Sequence, residues 1–497
     1  MKYNEENVED PELIIALVGA IGSELQEVEK ILSERLKVAA YEVHQIKVSE
    51  HIIRRLEKIE DFDERDEYSR IKAFMDAGDS ARKNNDDNNI LALGIAARIS
   101  SMRGKNGPEP KPGNCYIVNS LKRPEEVLKL REIYPNGFYL VGVYSDTKRR
   151  ESYLIENKRM QEAEAKELMK RDEDGESPYG QKVAETFHMS DFFVSSDDQE
   201  WLKSSLWRIV DILFGNPYIT PTFDEYAMFL AYAASLSSGD LSRQVGAVVA
   251  KKDDILATGA NDCPRYGGGR YWPVLDGNKK KVIDYENGRD LMRGYDSNVK
   301  EQEDIIASII NSAREKNIDP HKMEEVLEES RIRDITEYGR VVHAEMEALL
   351  SCARNNVSTR GATLYCTTFP CHNCAKHIIA AGISRVVYVE PYQKSKATDF
   401  HDDSICLKMN GNRSLLSFES FIGVGPRRFF DLFSLKLGSG RILRRKNDKG
   451  EILDWTLEEA RPRLNMQPGS YLDFELIANK QFMEAEKNRE ERDEEKG

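Results

Sequence analysis

The chain has little cysteine: seven residues, an odd number, are spread thinly over 497 positions. A secreted disulfide framework concentrates more cysteine in a shorter chain, so we expect a reducing, cytoplasmic location. No run of about 18 apolar residues occurs, so no transmembrane helix is expected. The acidic start, MKYNEENVED, lacks the basic region of a secretory signal. These absences disfavour secreted, disulfide-bonded and membrane-spanning classes of protein.

Basic excess is also absent: 72 Lys and Arg stand against 86 Asp and Glu, for a formal net charge of −14. Proteins that bind a nucleic-acid backbone usually carry basic excess, so nucleic acid is not expected as a partner. The 40% hydrophobic and 32% charged residues are ordinary for a globular protein. A chain of 497 residues is long enough for two or three domains, each with its own core.

Strand-like apolar runs alternate with helical patterns on both sides of about residue 215, which predicts an α/β protein. In the first half this alternation predicts a doubly wound parallel sheet. We expect one domain over residues 1–215 and a second over 216–480, followed by a charged tail over 481–497. A mostly polar stretch at about 264–335 reads as an insertion into the second domain.

The segment TTFPCHNCAKHIIAAG places Cys371 and Cys374 behind a proline at a predicted helix start. Taken alone, this pair leaves a disulfide, a redox pair and a metal site open. Upstream, the sequence HAE adds His343 and Glu345. One imidazole and two thiolates are three ligands for Zn²⁺, and they leave a fourth position for water, as in catalytic zinc sites. Glu345 can then lie beside the metal and move protons without binding it.

The pattern H-x-E…P-C-x-x-C resembles the signature of zinc nucleobase deaminases. The stretches SRQVGAVVA, VVHAEMEAL and TLYCTTFPCHNCAKHIIAAGISRVVYVEPY resemble, in order, the deoxycytidylate deaminase branch of the cytidine deaminase superfamily. The resemblance covers residues from about 220 to 400. It implies a mixed five-stranded sheet with helices on both faces, zinc as cofactor, and cytosine in free nucleotides as substrate.

The same resemblance implies roles for individual residues. Glu345 becomes the proton carrier, and His343, Cys371 and Cys374 become the zinc ligands. Asn261, in GAND, becomes the contact to the sugar, and a turn residue is the other interpretation. Arg243, in SRQVGA, would lie near the nucleotide or would simply begin a strand. A homo-oligomer is also implied.

The stretch VGAIGSEL follows a predicted strand and opens a predicted helix, as a phosphate-binding loop does. It resembles the P-loop of nucleotide kinases, with Gly19, Gly22 and Ser23 matching. The lysine and the magnesium-binding Ser or Thr of that loop are Leu25 and Gln26 here. We therefore expect a kinase-like fold that has lost phosphoryl transfer. Nucleotide binding at the three matching residues stays open.

A kinase-like half joined to a deaminase-like half, with the later segment FIGVGPRRFFDLF, resembles the bacterial anti-phage dCTP deaminases. This implies deamination of dCTP to dUTP, and of dCMP to dUMP as a further activity, with loss of dCTP during phage infection. Three alternatives remain: a housekeeping dCMP deaminase that feeds thymidylate synthesis, a polynucleotide deaminase, and a non-catalytic nucleotide sensor that keeps zinc for structure.

Overall fold

The chain forms two compact units in the computed structural model. The residues described are 10–59, 66–103, 109–173, 177–278, 280–328, 330–335, 337–391, 395–407, 415–464, 466 and 468–494. The first unit combines Met1–Glu225 with Phe421–Gly497, and the second is Tyr226–Ser420. The predicted boundaries at 215 and 480 are corrected accordingly, because the C-terminal segment packs with the first unit.

Strands and helices alternate in the N-terminal part of the first unit. The strands are β1 (Leu13–Gly19), β2 (Glu42–Lys47), β3 (Asn114–Asn119), β4 (Phe138–Tyr144) and β5 (Phe192–Ser195). The helices are α1 (Leu25–Val38), α2 (Arg54–Glu57), α3 (Glu67–Asn85), α4 (Ile90–Met102), α5 (Pro124–Ile133), α6 (Thr147–Glu156), α7 (Glu162–Glu173), α8 (Val183–Phe187) and α9 (Gln199–Leu213). A π-helical turn, Ser49–Ile53, precedes α2.

The five strands β1–β5 pair in parallel, as predicted, and β1 lies at the centre between β3 and β4. All seven residues of β1 are buried, because helices cover both faces of a parallel sheet. Ile14, Ala16 and Val18 belong to one apolar core, whereas the alternate residues Leu13 and Ile15 belong to another. The continuous apolar run LIIALVG is thus the central strand between two cores.

The second unit contains the mixed sheet. Its strands are β6 (Gly246–Lys251), β7 (Asp254–Ala260), β8 (Val274–Asp276), β9 (Lys281–Ile283), β10 (Thr363–Thr368), β11 (Arg385–Glu390), β12 (Ile405–Cys406) and β13 (Leu416–Ser420). Its helices are α10 (Phe223–Ser235), which belongs to this unit from Tyr226 onward, α11 (Asp290–Arg293), α12 (Ser297–Glu315), α13 (Pro320–Glu328), α14 (Ala344–Arg354), α15 (His372–Ala380) and α16 (Ala397–Phe400).

The main sheet of this unit has the strand order β12-β13-β11-β10-β6-β7. The pairs β7–β6 and β6–β10 are antiparallel, and the other pairs are parallel. The sheet therefore has six strands, one more than the resemblance implied. Two glycines let helices approach opposite faces: an added Cβ on Gly246 would lie 1.8 Å from the Ala231 carbonyl oxygen of α10, and one on Gly259 would lie 2.2 Å from that of Ala344 in α14.

The predicted insertion holds the hairpin β8–β9 and helices α11–α13. Within the ranges that the structure describes, no helix combines the length and the apolar character needed to cross a membrane.

The C-terminal segment completes the first unit. It contributes β14 (Gly423–Val424), α17 (Phe429–Phe433) and α18 (Leu472–Glu494). Strand β14 pairs antiparallel with β5, so the sheet is mixed at this edge rather than wholly parallel. The predicted charged tail is helical as far as Glu494, because α18 packs against α4. The contact is close at Phe482: a Cβ added to Gly94 of α4 would lie 2.7 Å from the Phe482 ring.

A buried ion network also connects α18 to the rest of its unit. Arg103 contacts the carboxylates of Glu12 and Glu475, and all three side chains are fully buried. Tyr134 donates a hydrogen bond to Glu475 at 2.6 Å, and Tyr471 donates one to Glu12 at 2.7 Å. Burial is the main cause that raises the pKa of Glu475. Arg103 is the cation that this network supplies to both buried carboxylates.

Arg103→Met is expected to lower the free energy of unfolding by about 3–5 kcal/mol, because it leaves two buried carboxylates without a cation. The measurement is the midpoint of urea unfolding of the full chain, with tryptophan fluorescence as the signal. Lys129→Met is the control: Lys129 pairs with Glu132 at the surface, and its loss should cost less than about 1 kcal/mol. Equal midpoints for the two variants would contradict the importance of the network.

Candidate metal centre and active site

His343 and Glu345 lie at the start of α14. His343 is the residue before the helix, with extended backbone angles. Its ring is therefore free to turn away from the helix axis. Glu345 lies in the first turn and is buried, at 4% exposure. The helix start thus presents an imidazole and a carboxylate two residues apart.

Cys371 and Cys374 lie at the start of α15, which packs in the same apolar core as α14. Cys371 is the residue before the helix, and its sulfur accepts a hydrogen bond from the Cys374 backbone N–H at 3.4 Å. A sulfur at a helix start is favoured as thiolate, because unpaired N–H groups and the helix dipole face it. Cys374 is 1% exposed.

The two helix starts bring the three predicted ligands together. The Nδ1 atom of His343 lies 3.5 Å from the Cys371 sulfur and 3.3 Å from the Cys374 sulfur. Their ligand atoms all lie within 4.8 Å of one another. With zinc–sulfur bonds of about 2.3 Å and zinc–nitrogen bonds of about 2.1 Å, tetrahedral coordination separates N and S by about 3.6 Å. The donor set therefore fits a zinc ion.

The electrostatics of the cluster suit metal binding. The hydrogen bond with Cys374 lowers the pKa of the Cys371 thiol to about 4 and raises the pKa of Cys374 well above its usual value. The hydrogen bond with Cys371 raises the pKa of His343 to about 9. A zinc ion entering the site therefore displaces protons from His343 and Cys374.

Glu345 is placed beside these donors. Burial raises its pKa, and the nearby His343 lowers it in part. Cys366, on β10, is fully buried, and burial raises its pKa well above the usual value. Cys366 is therefore a neutral neighbour of Glu345 and not a ligand of the group. The carboxylates whose charge acts on His343 are Glu345 and, more weakly, Asp240.

Of the two predicted nucleotide contacts, Arg243 lies on the segment that leads into β6, and Asn261 directly follows β7. The Asn261 side chain donates to the Arg243 carbonyl oxygen and accepts from the Val245 N–H, both at 2.7 Å. It therefore holds the backbone of that segment. The Arg243 guanidinium forms an ion pair with Glu390. Contacts of Asn261 and Arg243 with a sugar or nucleotide stay predictions.

Glu390, which the sequence reasoning did not single out, is the ion-pair partner of the predicted contact Arg243. It lies at the C-terminal end of β11, and besides Arg243 it accepts a hydrogen bond from the Thr368 hydroxyl at 2.9 Å. It thereby orients the arginine that was expected near the substrate. Its place at the end of a strand, in the sequence VYVEPY, was the available signal.

In the first unit, Gly19 is the last residue of β1, and Gly22 and Ser23 lie in the loop between β1 and α1, as predicted. Gly22 has φ of +88°, and an added Cβ would lie 2.9 Å from the Arg150 carbonyl oxygen, so glycine is required there. Nucleotide binding by these three residues stays a prediction.

Comparison with known proteins agrees with this geometry. Residues 221–390 match the family model of the cytidine and deoxycytidylate deaminase zinc-binding region. The deoxycytidylate deaminase of Enterobacteria phage T4 is 32% identical over 178 residues, which cover 34% of this chain and 77% of the phage protein. The chain belongs to the deoxycytidylate deaminase family. As a member, it is a zinc-binding deaminase that acts on cytosine nucleotides.

Other deoxycytidylate deaminases match this chain at lower sequence identity, one of them over a longer stretch. The deoxycytidylate deaminase of Saccharomyces cerevisiae is 26% identical over 298 residues, which cover 56% of this chain and 76% of the yeast protein. Among solved structures, the dCMP deaminase of the cyanophage S-TIM5 in complex with dCMP and dUMP is 20% identical, covers 41% of this chain and all of that chain, and has a TM-score of 0.23. Because this TM-score is low, the family assignment rests on the sequence relatives and not on the solved structure.

Proposed function

We propose that the chain deaminates dCTP to dUTP, with dCMP to dUMP as a further activity, and so depletes dCTP when a phage infects the cell. The observation that carries the deamination step of this proposal is the juxtaposition of His343, Cys371 and Cys374, with Glu345 buried beside them. When bound there, zinc supplies Lewis-acid activation of water. The three donors hold the ion, and Glu345 is the group that moves protons.

The proton transfers follow from the position of Glu345. Its carboxylate takes a proton from the water that adds to C4 of cytosine and delivers it to the ring nitrogen N3. The carboxylate then takes the proton of the new C4 hydroxyl and passes it to the amino group; the C4–N bond breaks, C4 becomes a carbonyl carbon, and ammonia leaves. Burial raises the pKa of Glu345, which makes its carboxylate a stronger base for the proton of the attacking water.

The choice of dCTP and of phage infection rests on the resemblance of the whole chain to the anti-phage dCTP deaminases. A kinase-like sequence in the first unit and the segment FIGVGPRRFFDLF support that resemblance. The phage T4 and yeast relatives are deoxycytidylate deaminases, which favours a second candidate, a dCMP deaminase that supplies dUMP.

The test separates the two candidates. The purified full chain is offered dCTP, dCMP and cytidine at equal concentrations, and ammonia and the uracil product are measured. We expect the highest kcat/KM with dCTP, whereas a preference for dCMP would favour the second candidate. In infected cells, the dCTP pool should fall with the intact chain and stay level with the Glu345→Gln variant; equal pools would overturn the role in defence.

A further inference from the structure

A buried ion pair lies beside the segments that carry the predicted nucleotide contacts, within the second unit. Its carboxylate is Asp262, which directly follows Asn261 and is 1% exposed. Its cation is Arg289, the residue before α11 in the insertion, which is 7% exposed. The Arg289 Nη1 atom lies 3.5 Å from Asp262 Oδ2, and the same guanidinium pairs with Asp284. The deamination steps described above use none of these three charged residues.

The carboxylate of Asp262 holds one end of a loop that we call the Gly239 loop, residues 238–243. The Gly239 backbone N–H donates to Asp262 Oδ2 at 3.1 Å, and the other carboxylate oxygen accepts the next N–H along the chain at 2.7 Å. The loop ends in Arg243, whose carbonyl oxygen accepts a hydrogen bond from the Asn261 amide. One end of the loop is thus held by Asp262 and the other by Asn261.

The Gly239 loop lies beside the metal centre. Asp240 in this loop is one of the two carboxylates whose charge acts on His343. Its Oδ1 atom also accepts the backbone N–H groups of Ser242 at 2.8 Å and of Arg243 at 2.9 Å. The conformation of the loop therefore sets the position from which the Arg243 side chain extends.

The backbone of Asp262 pairs with the segment that leads to a zinc ligand. Its N–H donates to the Val342 carbonyl oxygen at 3.2 Å, and the Val342 N–H donates to the Asp262 carbonyl oxygen at 3.0 Å. Val342 is the residue before His343. Asp262 therefore contacts the Gly239 loop through its side chain and the approach to His343 through its backbone.

Arg289 also packs directly against the Gly239 loop. A Cβ added to Gly239 would lie 2.7 Å from the Arg289 Nη1 atom and 2.7 Å from the Leu291 Cδ2 atom, distances that real Cβ contacts essentially never show. The guanidinium is held in this place by its pairs with Asp262 and Asp284. Position 239 therefore needs a glycine for the ion pair to form beneath the loop backbone.

The next residue of the insertion is attached in the same way. Asp290 is 5% exposed and pairs with Arg340 at 2.7 Å, and Arg340 also donates to the Gly288 carbonyl oxygen at 3.0 Å. Arg340 lies three residues before His343. Two successive residues, Arg289 and Asp290, thus connect the insertion to both of these segments.

We propose that Arg289 is a positioning residue for nucleotide binding: through Asp262 it holds the Gly239 loop in the conformation from which Arg243 contacts the substrate. This role rests on the proposed function and adds to it a task for the insertion. Removal of the guanidinium leaves Asp262 as a buried carboxylate without a cation, so the loop should be held less tightly. The proton transfers by Glu345 do not use this loop, so substrate binding should suffer more than turnover.

The first test is the kinetics of Arg289→Met in the zinc-loaded full chain, with dCTP and dCMP as substrates. We expect KM to rise at least about tenfold, the usual cost of losing a contact that orients a site residue. The value of kcat should change by less than about twofold, because a loss confined to binding leaves kcat unchanged. Arg289→Lys keeps the charge but cannot pair with two carboxylates in the same fork, so its KM should lie between. An unchanged KM, or a loss that falls on kcat alone, would overturn the proposal.

Arg293→Met is the matched control for the arginine variants. Arg293 is exposed on α11, and its Nε donates to the Asn287 carbonyl oxygen at 2.9 Å. This variant should keep the KM and the zinc content of the unaltered chain. A rise in KM as large as that of Arg289→Met would show that any change in α11 disturbs the site, and would contradict a specific role of Arg289. Melting temperature and zinc per chain report whether each variant is folded.

Gly239→Ala tests the same contact from the side of the loop. The added methyl group meets Arg289 and Leu291, so the loop should shift although the cation is still present. We expect KM to rise at least about tenfold here as well. Gly277→Ala is the control, since a Cβ added at that exposed position has no atom within 4 Å. An unchanged KM in Gly239→Ala would overturn the proposal, and this variant decides if Arg289→Met does not fold.

Hydrogen exchange tests the positioning without any need for turnover. In Arg289→Met the amides of the Gly239 loop should exchange at least about tenfold faster than in the unaltered chain, because a hydrogen bond to a charged group stabilises by that much or more. The amides of α18, in the other unit, serve as the internal reference. Equal exchange in the two proteins would overturn the proposal. If the unaltered chain deaminates neither nucleotide, the proposed function fails, and the exchange measurement alone decides the role of Arg289.

Discussion

The Glu345→Gln variant is expected to lose turnover by about 10²–10⁴-fold, the usual contribution of a general acid–base group. Glutamine has nearly the same shape and keeps a hydrogen-bonding side chain, but it cannot take a proton from water and return it. Zinc content should stay unchanged, because the three ligands are intact. The measurement is ammonia release under saturating substrate, together with zinc per chain by elemental analysis.

The matched control for this variant is Glu347→Gln. Glu347 lies on the same helix two residues later, is 6% exposed and pairs with Arg354 at 2.6 Å. It therefore tests the loss of a buried carboxylate that does not face the donor set. Glu347→Gln should retain both zinc and turnover. If Glu345→Gln lost zinc as well, Glu345 would be structural, and if it kept full activity, the proposed proton transfers would be wrong.

Replacing a ligand should remove the metal itself. Structural zinc sites with four ligands bind the ion by about 10–16 kcal/mol, so one ligand contributes on the order of 3–4 kcal/mol, at least about a hundredfold in affinity. Cys371→Ser and Cys374→Ser are therefore expected to be purified with little zinc and to have background activity. Zinc per chain, deamination rate and melting temperature are measured together on the full chain.

Cys352→Ala is the control for the ligand variants. Cys352 lies on α14, is 1% exposed and belongs to the same apolar core as the ligand helices, but it is not one of the three donors. Its truncation should leave zinc content intact. A Cys371→Ser protein with full zinc and full activity would show that the metal is held by other groups.

The sequence predicted the metal centre well because the pattern is mostly local. Cys371 and Cys374 are brought together by the first turn of one helix, and His343 and Glu345 by the start of another. The local pattern did not show that the starts of the two helices meet in the folded chain. The family resemblance implied that contact. Asn261 and Arg243 were named as substrate contacts, yet in the structure the Asn261 amide binds backbone on both sides, and Arg243 pairs with Glu390.

The domain boundaries were predicted less well. The pattern of strands and helices up to about residue 215 was visible, because each element carries its own periodicity. The two residues of β14 carry none, and their assignment to the first unit depends on pairing with β5, far away in the chain. The charged end of the chain has the composition of a solvated tail, but a few apolar residues such as Phe482 suffice to pack it as a helix on α4.

The sequence by itself determined the central strand LIIALVG, the glycine loop of residues 19–24 and the two helix starts that carry the predicted zinc ligands, because neighbouring residues produce each of them. Only the tertiary structure decided what the glycine loop faces. The carboxylate of Asp172 accepts the Ile21 backbone N–H at 2.7 Å, and Asp172 is 151 positions from Ile21, within a helix whose charged residues all look alike in sequence. Which of these carboxylates is buried against a loop N–H depends on how the helix packs, and packing over such separations leaves no local pattern.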